Sequence, residues 1–364
     1  MNSYFPEIKK NFGFGCMRMK MNGKEVDLEE FTKMVDAFLA AGFNYFDTAH
    51  VYIDGQSETA LRSCLTSRYP REAYVLTNKL SESCFKTEAD IRPLFETQLA
   101  ACGVDYFDFY LMHAQGSRNY DHYQQCHAYE VAQALKQEGK IHHLGISFHD
   151  TAAFLDRILT EHPEIEIVQL QFNYADFEDP KIQSRKCYEV CRSHGKPVIV
   201  MEPVKGGKLV NLPEEAANIL DSLHGGSHAS YAIRFAAGFE GIAMVLSGMG
   251  SMEMMEDNIG YMADFHPLSP AEQEAVAKAC AIYRGQDLIA CTECRYCVPG
   301  CPMQIEIPAF FKRENNKRTI RAWAGDSSIS GGTPADCVGC GQCEEICPQH
   351  LPIRELLAKI AQAG

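Results

Sequence analysis

"FNYFDTA", residues 43–49, is a short run of β-forming aromatic residues that closes on a carboxylate, Asp47. Seven more runs of comparable length and character lie along the chain: "FGFGCMRM" (12–19), "YVLTNKL" (74–80), "FDFYLMH" (107–113), "HHLGISF" (142–148), "EIVQLQF" (166–172), "PVIVMEP" (197–203) and "GIAMVLSG" (241–248). The segments between them have helical periodicity. In "LEEFTKMVDAFLAAG", Phe31, Met34, Val35, Phe38 and Leu39 fall on one face and Gly42 supplies a stop. "DIRPLFETQLAACG" and "YEVAQALKQEGK" read the same way.

Strands that alternate with helices form parallel sheets, and the count of units selects the architecture. Eight strand–helix pairs in about 250 residues predict a TIM (β/α)8 barrel. An open doubly wound sheet is the alternative, but "GFGCMR" offers only a G-x-G where that fold carries G-x-G-x-x-G. A further helix is expected at about 269–283, after which cysteine, proline and charge dominate. The boundary is therefore placed near 285, giving a barrel over 1–285 and a small domain over 286–364.

Chemistry in such a barrel belongs to the C-terminal ends of the strands. The second run ends in Asp47 with Tyr52 just beyond it, the third in Lys79, the fourth in His113 and the fifth in Ser147. Taken singly, Asp47 reads equally well as a loop cap, Tyr52 as a packing residue and His113 as a core histidine. Together they make a general acid. A phenol of pKa about 10 donates poorly at neutral pH, but a neighbouring ammonium stabilises its conjugate base. Lys79 can do this for Tyr52, Asp47 can hold Lys79, and His113 can hydrogen-bond a carbonyl oxygen, which suits carbonyl reduction.

"FDTAHVYIDGQSE", "LTNKL", "YLMHA" and "GKIHHLGIS" resemble successive signatures of the aldo-keto reductase superfamily, over residues 12–265. The resemblance implies Tyr52 as proton donor, Asp47, Lys79 and His113 as its partners, and a nicotinamide cofactor as hydride source. It also implies that Ser147 and Gln169 hold the carboxamide with Asn173 nearby, and that Asn258 keeps its family position. Two departures stand out. Phe148 follows Ser147 where many members have asparagine, and Met201 stands where an aromatic ring often stacks on the nicotinamide. The loop "SGMGSMEMMEDN" (247–258) has no Lys or Arg, and Glu253, Glu256 and Asp257 would repel a 2'-phosphate. The expectation is NAD(H) over NADP(H), or a different cofactor. The pyrophosphate is expected at the N-terminus of a helix starting near Ser251, with Gly248, and beside Gly206 and Gly207 of "KGGKL".

The tail holds "CTECRYCVPGCP" (291–302) and "CVGCGQCEEICP" (337–348), each C-x2-C-x2-C-x3-C-P. Four-thiolate zinc is the alternative for clustered cysteines. The spacing is that of bacterial ferredoxins, in which the fourth cysteine of each run serves the other cluster. Two 4Fe-4S clusters then take Cys291, Cys294, Cys297 and Cys347, and Cys337, Cys340, Cys343 and Cys301. "AFFKRENNKRTIRAWAG" is expected to form a helix packed on the barrel, with Trp323 at the contact. "DCVGCGQCEEICPQHLPIRELL" also resembles the tail of a bacterial aldo-keto reductase subgroup with a ferredoxin-like C-terminal domain.

The other eight of the sixteen cysteines are scattered and read as small buried apolar residues. The net charge of −14 argues against a nucleic-acid partner. No apolar run reaches the roughly 18 residues of a membrane span, and the start lacks a signal-peptide layout, so a cytoplasmic protein is expected. Substrates are expected to be small carbonyls or alcohols. A nicotinamide moves two electrons and a cluster one, so coupling them calls for a converter such as flavin. Three readings stand: a carbonyl reductase with structural clusters, a reductase fed electrons by a ferredoxin or other redox partner, or an electron carrier on an inert barrel.

Overall fold

All eight runs become strands in the computed structural model, which describes residues 4–319 and 329–363. They are β1 (Phe12–Gly15), β2 (Tyr45–Asp47), β3 (Val75–Leu80), β4 (Phe107–Gln115), β5 (Ile141–Phe148), β6 (Ile167–Gln171), β7 (Val198–Met201) and β8 (Ile242–Ser247). Each pairs in parallel with the next, and β1 closes on both β2 and β8. The result is the expected (β/α)8 barrel; the open sheet is not formed.

Most strand residues are buried, as parallel strands covered by helices must be. The helix Leu28–Ala40 starts where Asp27 accepts the Glu30 N–H, and it buries Phe31, Met34, Val35 and Phe38. Phe38 meets Phe12, Phe14, Phe43 and Phe46 with ring centroids 5.1 to 6.1 Å apart, tying β1 and β2 to the helix. Burying each such ring contributes about 1.5–3 kcal/mol. Inside the barrel, Phe5 and Ile8 pack with Tyr45, Val75, Phe109, Ile167, Ile199 and Met244.

The side-chain period of two carries this order upward. The Tyr45 and Thr77 hydroxyls meet at 2.6 Å, and two residues further along β2 and β3 stand Asp47 and Lys79. β1 stops at Gly15, short of the expected Met19. The chain there turns into a small antiparallel pair, Met21–Asn22 with Glu25–Val26, through Gly23 at φ +66°.

The chain divides into two compact units: residues 1–203 with 225–273, and residues 204–224 with 274–364. The second therefore contains the segment directly after β7 as well as the cysteine runs. Its core gathers Ile289, Ile305, Ile307, Phe310, Phe311, Ile353, Leu357 and Ile360 around Cys297. A helix of the tail runs Ile307–Thr319 and places Phe310 and Phe311 in this unit's own core, where a contact with the barrel was expected; the rest of the expected helix, with Trp323, lies outside the described residues. No helix among the described residues is long and apolar enough to cross a membrane.

Candidate functional site

Lys79 is fully buried in β3, and its ammonium donates to Asp47 Oδ1 at 2.6 Å and to the Thr48 carbonyl at 2.7 Å. The same nitrogen stands 4.7 Å from the centre of the Tyr52 ring. Tyr52 in turn faces His113 edge-on, with ring centroids 5.8 Å apart. All four residues proposed as the acid site thus come together at the C-terminal ends of β2, β3 and β4.

Burial dominates the electrostatics of these groups. Burial pushes the Asp47 carboxyl up and the Lys79 amine down, while their mutual attraction opposes both shifts. His113 is held well below the usual imidazole range by burial first and by the Lys79 charge second. The Cys16 thiol, whose backbone N–H donates to Asp47 O at 2.8 Å, is pushed well above its ordinary value by burial and by the Asp47 charge. Cys16 is a protonated neighbour of the pair.

The turn that carries Tyr52 is strained. Ile53 and Asp54 both have φ of 52°, a left-handed conformation costly for a β-branched residue, and Gly55 follows at 83°. The next helix, Gln56–Leu61, anchors this turn from inside. Ser57 Oγ donates to the Cys16 carbonyl at 2.8 Å, and buried Glu58 accepts from Asn78 at 2.8 Å and meets His50 Nδ1 at 2.7 Å. Asn78 Oδ1 accepts the Lys79 N–H, and Gln98 bonds both Asn78 and the Lys79 carbonyl. Tyr110 completes the network by donating to Gln98 Oε1. The backbone of Lys79 is thereby fixed on the side away from its ammonium.

Sequence reasoning did not assign Ser57, Glu58, Asn78, Ser81 or Gln98. Ser81 matters most, because its hydroxyl meets His113 Nδ1 at 2.6 Å and leaves Nε2 as the other ring nitrogen available to a ligand. A signal existed: Ser81 follows Lys79 by two residues and so continues the same strand face.

The residues proposed to hold a nucleotide divide in their engagements. Ser147 Oγ accepts the Ala114 N–H at 2.7 Å and keeps its own hydrogen to donate; Gln169 Nε2 reaches Asp47 Oδ2 at 3.5 Å. Asn173 is fully used: its amide donates to Asp176 and the Glu202 carbonyl, and its oxygen accepts from Ala175 and Asp176. Asn258 donates to Ser247 Oγ at 2.8 Å and accepts from Tyr261. Both asparagines hold loops; Asn173 has no amide group left over for a carboxamide, whereas Asn258 keeps a second N–H.

Ser251 caps the helix Met252–Met262. The Met252 N–H donates to Glu30 Oε1 at 3.0 Å, so a carboxylate of the chain already meets the helix end where the pyrophosphate was expected. The loop itself lacks Lys and Arg, but Arg18 after β1 lies across it. A Cβ at Gly248 would be 3.2 Å from the Arg18 side chain, and the guanidinium stands 3.5 Å from Glu202 Oε1. Gly206 and Gly207 fall in the second unit.

In that unit the eight cysteines line two voids. One is bordered by Cys291, Cys294, Cys297 and Cys347, and the other by Cys301, Cys337, Cys340 and Cys343. The last cysteine of each run thus lines the void of the other, the same partition that the spacing suggested. Backbone N–H groups of Glu293 and Ile305 point to Cys291 Sγ at 3.4 Å and Cys301 Sγ at 3.5 Å. Among the described residues no three Cys, His, Asp or Glu side chains converge closely enough to share a single ion. Four thiols around a cavity fit a polynuclear cluster better than tetrahedral zinc, whose sulfur ligands lie about 2.3 Å from one centre. Burial raises the Cys291 and Cys343 thiols to about 11, so loading would release protons.

Comparison with known proteins finds two families along the chain. Residues 11–281 match the aldo/keto reductase family and residues 290–351 the 4Fe-4S dicluster domain. The chain is 31% identical over 220 residues to an aldo-keto reductase, str7, of Strobilurus tenacellus, which covers 56% of this chain and 60% of that one. A stretch of 74 residues is 31% identical to the acetyl-CoA decarbonylase/synthase complex subunit alpha 1 of Methanosarcina acetivorans, covering 20% of this chain and 8% of that one. The chain thus spans less than two thirds of either curated relative. Its fold is similar to the crystal structure of an aldo-keto reductase from Klebsiella pneumoniae in complex with NADPH, with TM-score 0.61, 20% identity, and coverage of 76% of this chain and 92% of that one. The chain belongs to the aldo/keto reductase family and carries a 4Fe-4S dicluster domain behind its barrel.

Proposed function

We propose that the protein is an oxidoreductase that interconverts a small carbonyl compound and its alcohol, with Tyr52 as the proton donor. The observation that carries this reading is the Asp47–Lys79 pair at 2.6 Å with its ammonium 4.7 Å from the Tyr52 ring. The Tyr52 hydroxyl gives its proton to the substrate oxygen, and the Lys79 ammonium stabilises the phenolate left behind. Asp47 and the Thr48 carbonyl keep Lys79 in place, and His113 Nε2 positions the substrate oxygen. A nicotinamide bound at the barrel mouth would supply the hydride. Ser147 and Gln169 are the residues to hold its carboxamide, and Gly248 and Arg18 the residues on its phosphate side. Glu253, Glu256 and Asp257 favour NADH, because a 2'-phosphate would add negative charge beside three carboxylates.

A second reading rests on the two cysteine-lined voids: the clusters pass single electrons toward the barrel from a ferredoxin-like partner, with flavin as the converter. One experiment separates the two. Anaerobically purified full-length protein is given a test aldehyde with NADH or NADPH while the clusters are held oxidised, and its spectrum and extracted cofactors are recorded. Turnover with NADH above NADPH, lost by about 10²-fold or more in Tyr52→Phe at unchanged iron content, supports the first reading. Activity that survives Tyr52→Phe overturns the proton-donor assignment. Turnover that requires reduced clusters and releases flavin favours the second.

A further inference from the structure

We propose that the segment after β7, through Gly206 and Lys208, positions the loop bearing Cys291 and Cys294 for its cluster. This rests on the reading that Cys291, Cys294, Cys297 and Cys347 hold iron, and it gives Gly206 a different task from the nucleotide contact that the sequence suggested.

The geometry lies wholly inside the second unit. Gly206 has φ +60°, and a Cβ there would stand 2.4 Å from Thr292 O, 2.8 Å from its Cα and 2.9 Å from its carbonyl carbon. All three are backbone atoms, so no side chain can swing aside; only glycine allows the two segments to approach this closely. Thr292 is 1% exposed and lies between Cys291 and Cys294. The next residue, Glu293, has φ 58° and aims its N–H at Cys291 Sγ. Its two carboxylate oxygens are held by Lys208 at 3.2 Å and Lys312 at 3.3 Å. Both residues between the first two cysteines are therefore pinned, one through its backbone by Gly206 and one through its side chain by Lys208. Groups that orient metal ligands in this way typically change metal affinity by about 10–100-fold when removed.

Gly207 supplies the matched control: its φ is +88°, but a Cβ there would meet nothing within 4 Å. Alanine at either position carries the left-handed backbone cost; only Gly206→Ala also displaces Thr292. The full chain is reconstituted anaerobically with ferrous iron and sulfide, and iron and acid-labile sulfide are counted per folded chain. Wild type and Gly207→Ala should hold about eight irons and Gly206→Ala about four. In a Cys343→Ser background, which removes a thiolate from the second set, Gly206→Ala should hold almost none. Chelator should strip iron several-fold faster from Lys208→Met than from Lys208→Arg, a comparison that stands even where Gly206→Ala fails to fold. Full iron in Gly206→Ala, equal loss in both glycine variants, or no difference between the Lys208 variants overturns the inference. A wild-type chain that takes up no iron overturns the cluster reading beneath it.

Discussion

His113 shows what a single side chain contributes beyond its place beside Tyr52. Burial and the Lys79 charge hold it well below the usual imidazole range, so the folded chain keeps it neutral where the unfolded chain takes up a proton, near pH 6.5. The unfolded state therefore binds more protons below that pH. His113's share of stability is complete above about pH 6.5 and is lost as pH falls toward the lower folded-state value. Wild type should lose more unfolding free energy between pH 7.5 and 5.5 than His113→Gln in urea titrations; equal losses would remove His113 from the account. Asp47, Lys79 and His113 were legible in the sequence because each is a polar residue closing an apolar run. Glu58, Asn78 and Arg18 were not, since each draws its meaning from a residue brought near by barrel closure: Glu58 from Asn78, Asn78 from Gln98, and Arg18 from Gly248.

At the level of strands and helices, two glycines predict opposite outcomes for the same substitution. Gly145 sits in β5 between β4 and β6, and a Cβ there would stand 2.6 Å from the Ile167 carbonyl and 2.7 Å from Leu111. Gly145→Ala should cost about 1–3 kcal/mol, as overpacking of a closed core does. Gly260 lies exposed in the helix Met252–Met262 with nothing near its Cβ, and Gly260→Ala should stabilise by about 0.5–1 kcal/mol. Thermal melts of both variants check the pair, and the same sign for both would refute the packing argument. All eight strands were readable from hydrophobic runs and the turn residues between them. The early end of β1 was not, because "CMRM" is apolar enough to continue a strand while the chain instead turns at Gly23. The two-residue strands of the small hairpin are too short to leave a periodic signal.

Across the whole molecule, the two units differ in what holds them together. The barrel closes a large aromatic and aliphatic interior, whereas the second unit has a small core whose cysteines line two voids. Stripping iron should therefore unfold the second unit first. Hydrogen exchange on chelated protein should show lost protection over residues 204–224, 289–319 and 329–360 with β1–β8 still protected; unchanged protection in the tail would mean that its core suffices alone. The segment 204–224 is included because it belongs to that unit although it is encoded before β8. This order has a consequence in time. During synthesis Gly206 leaves the ribosome roughly 90 residues before Thr292, a delay of several seconds at about 5–20 residues per second. Through that interval Gly206 lacks the Thr292 backbone that it packs against, so this contact forms only after the last barrel strand has been made.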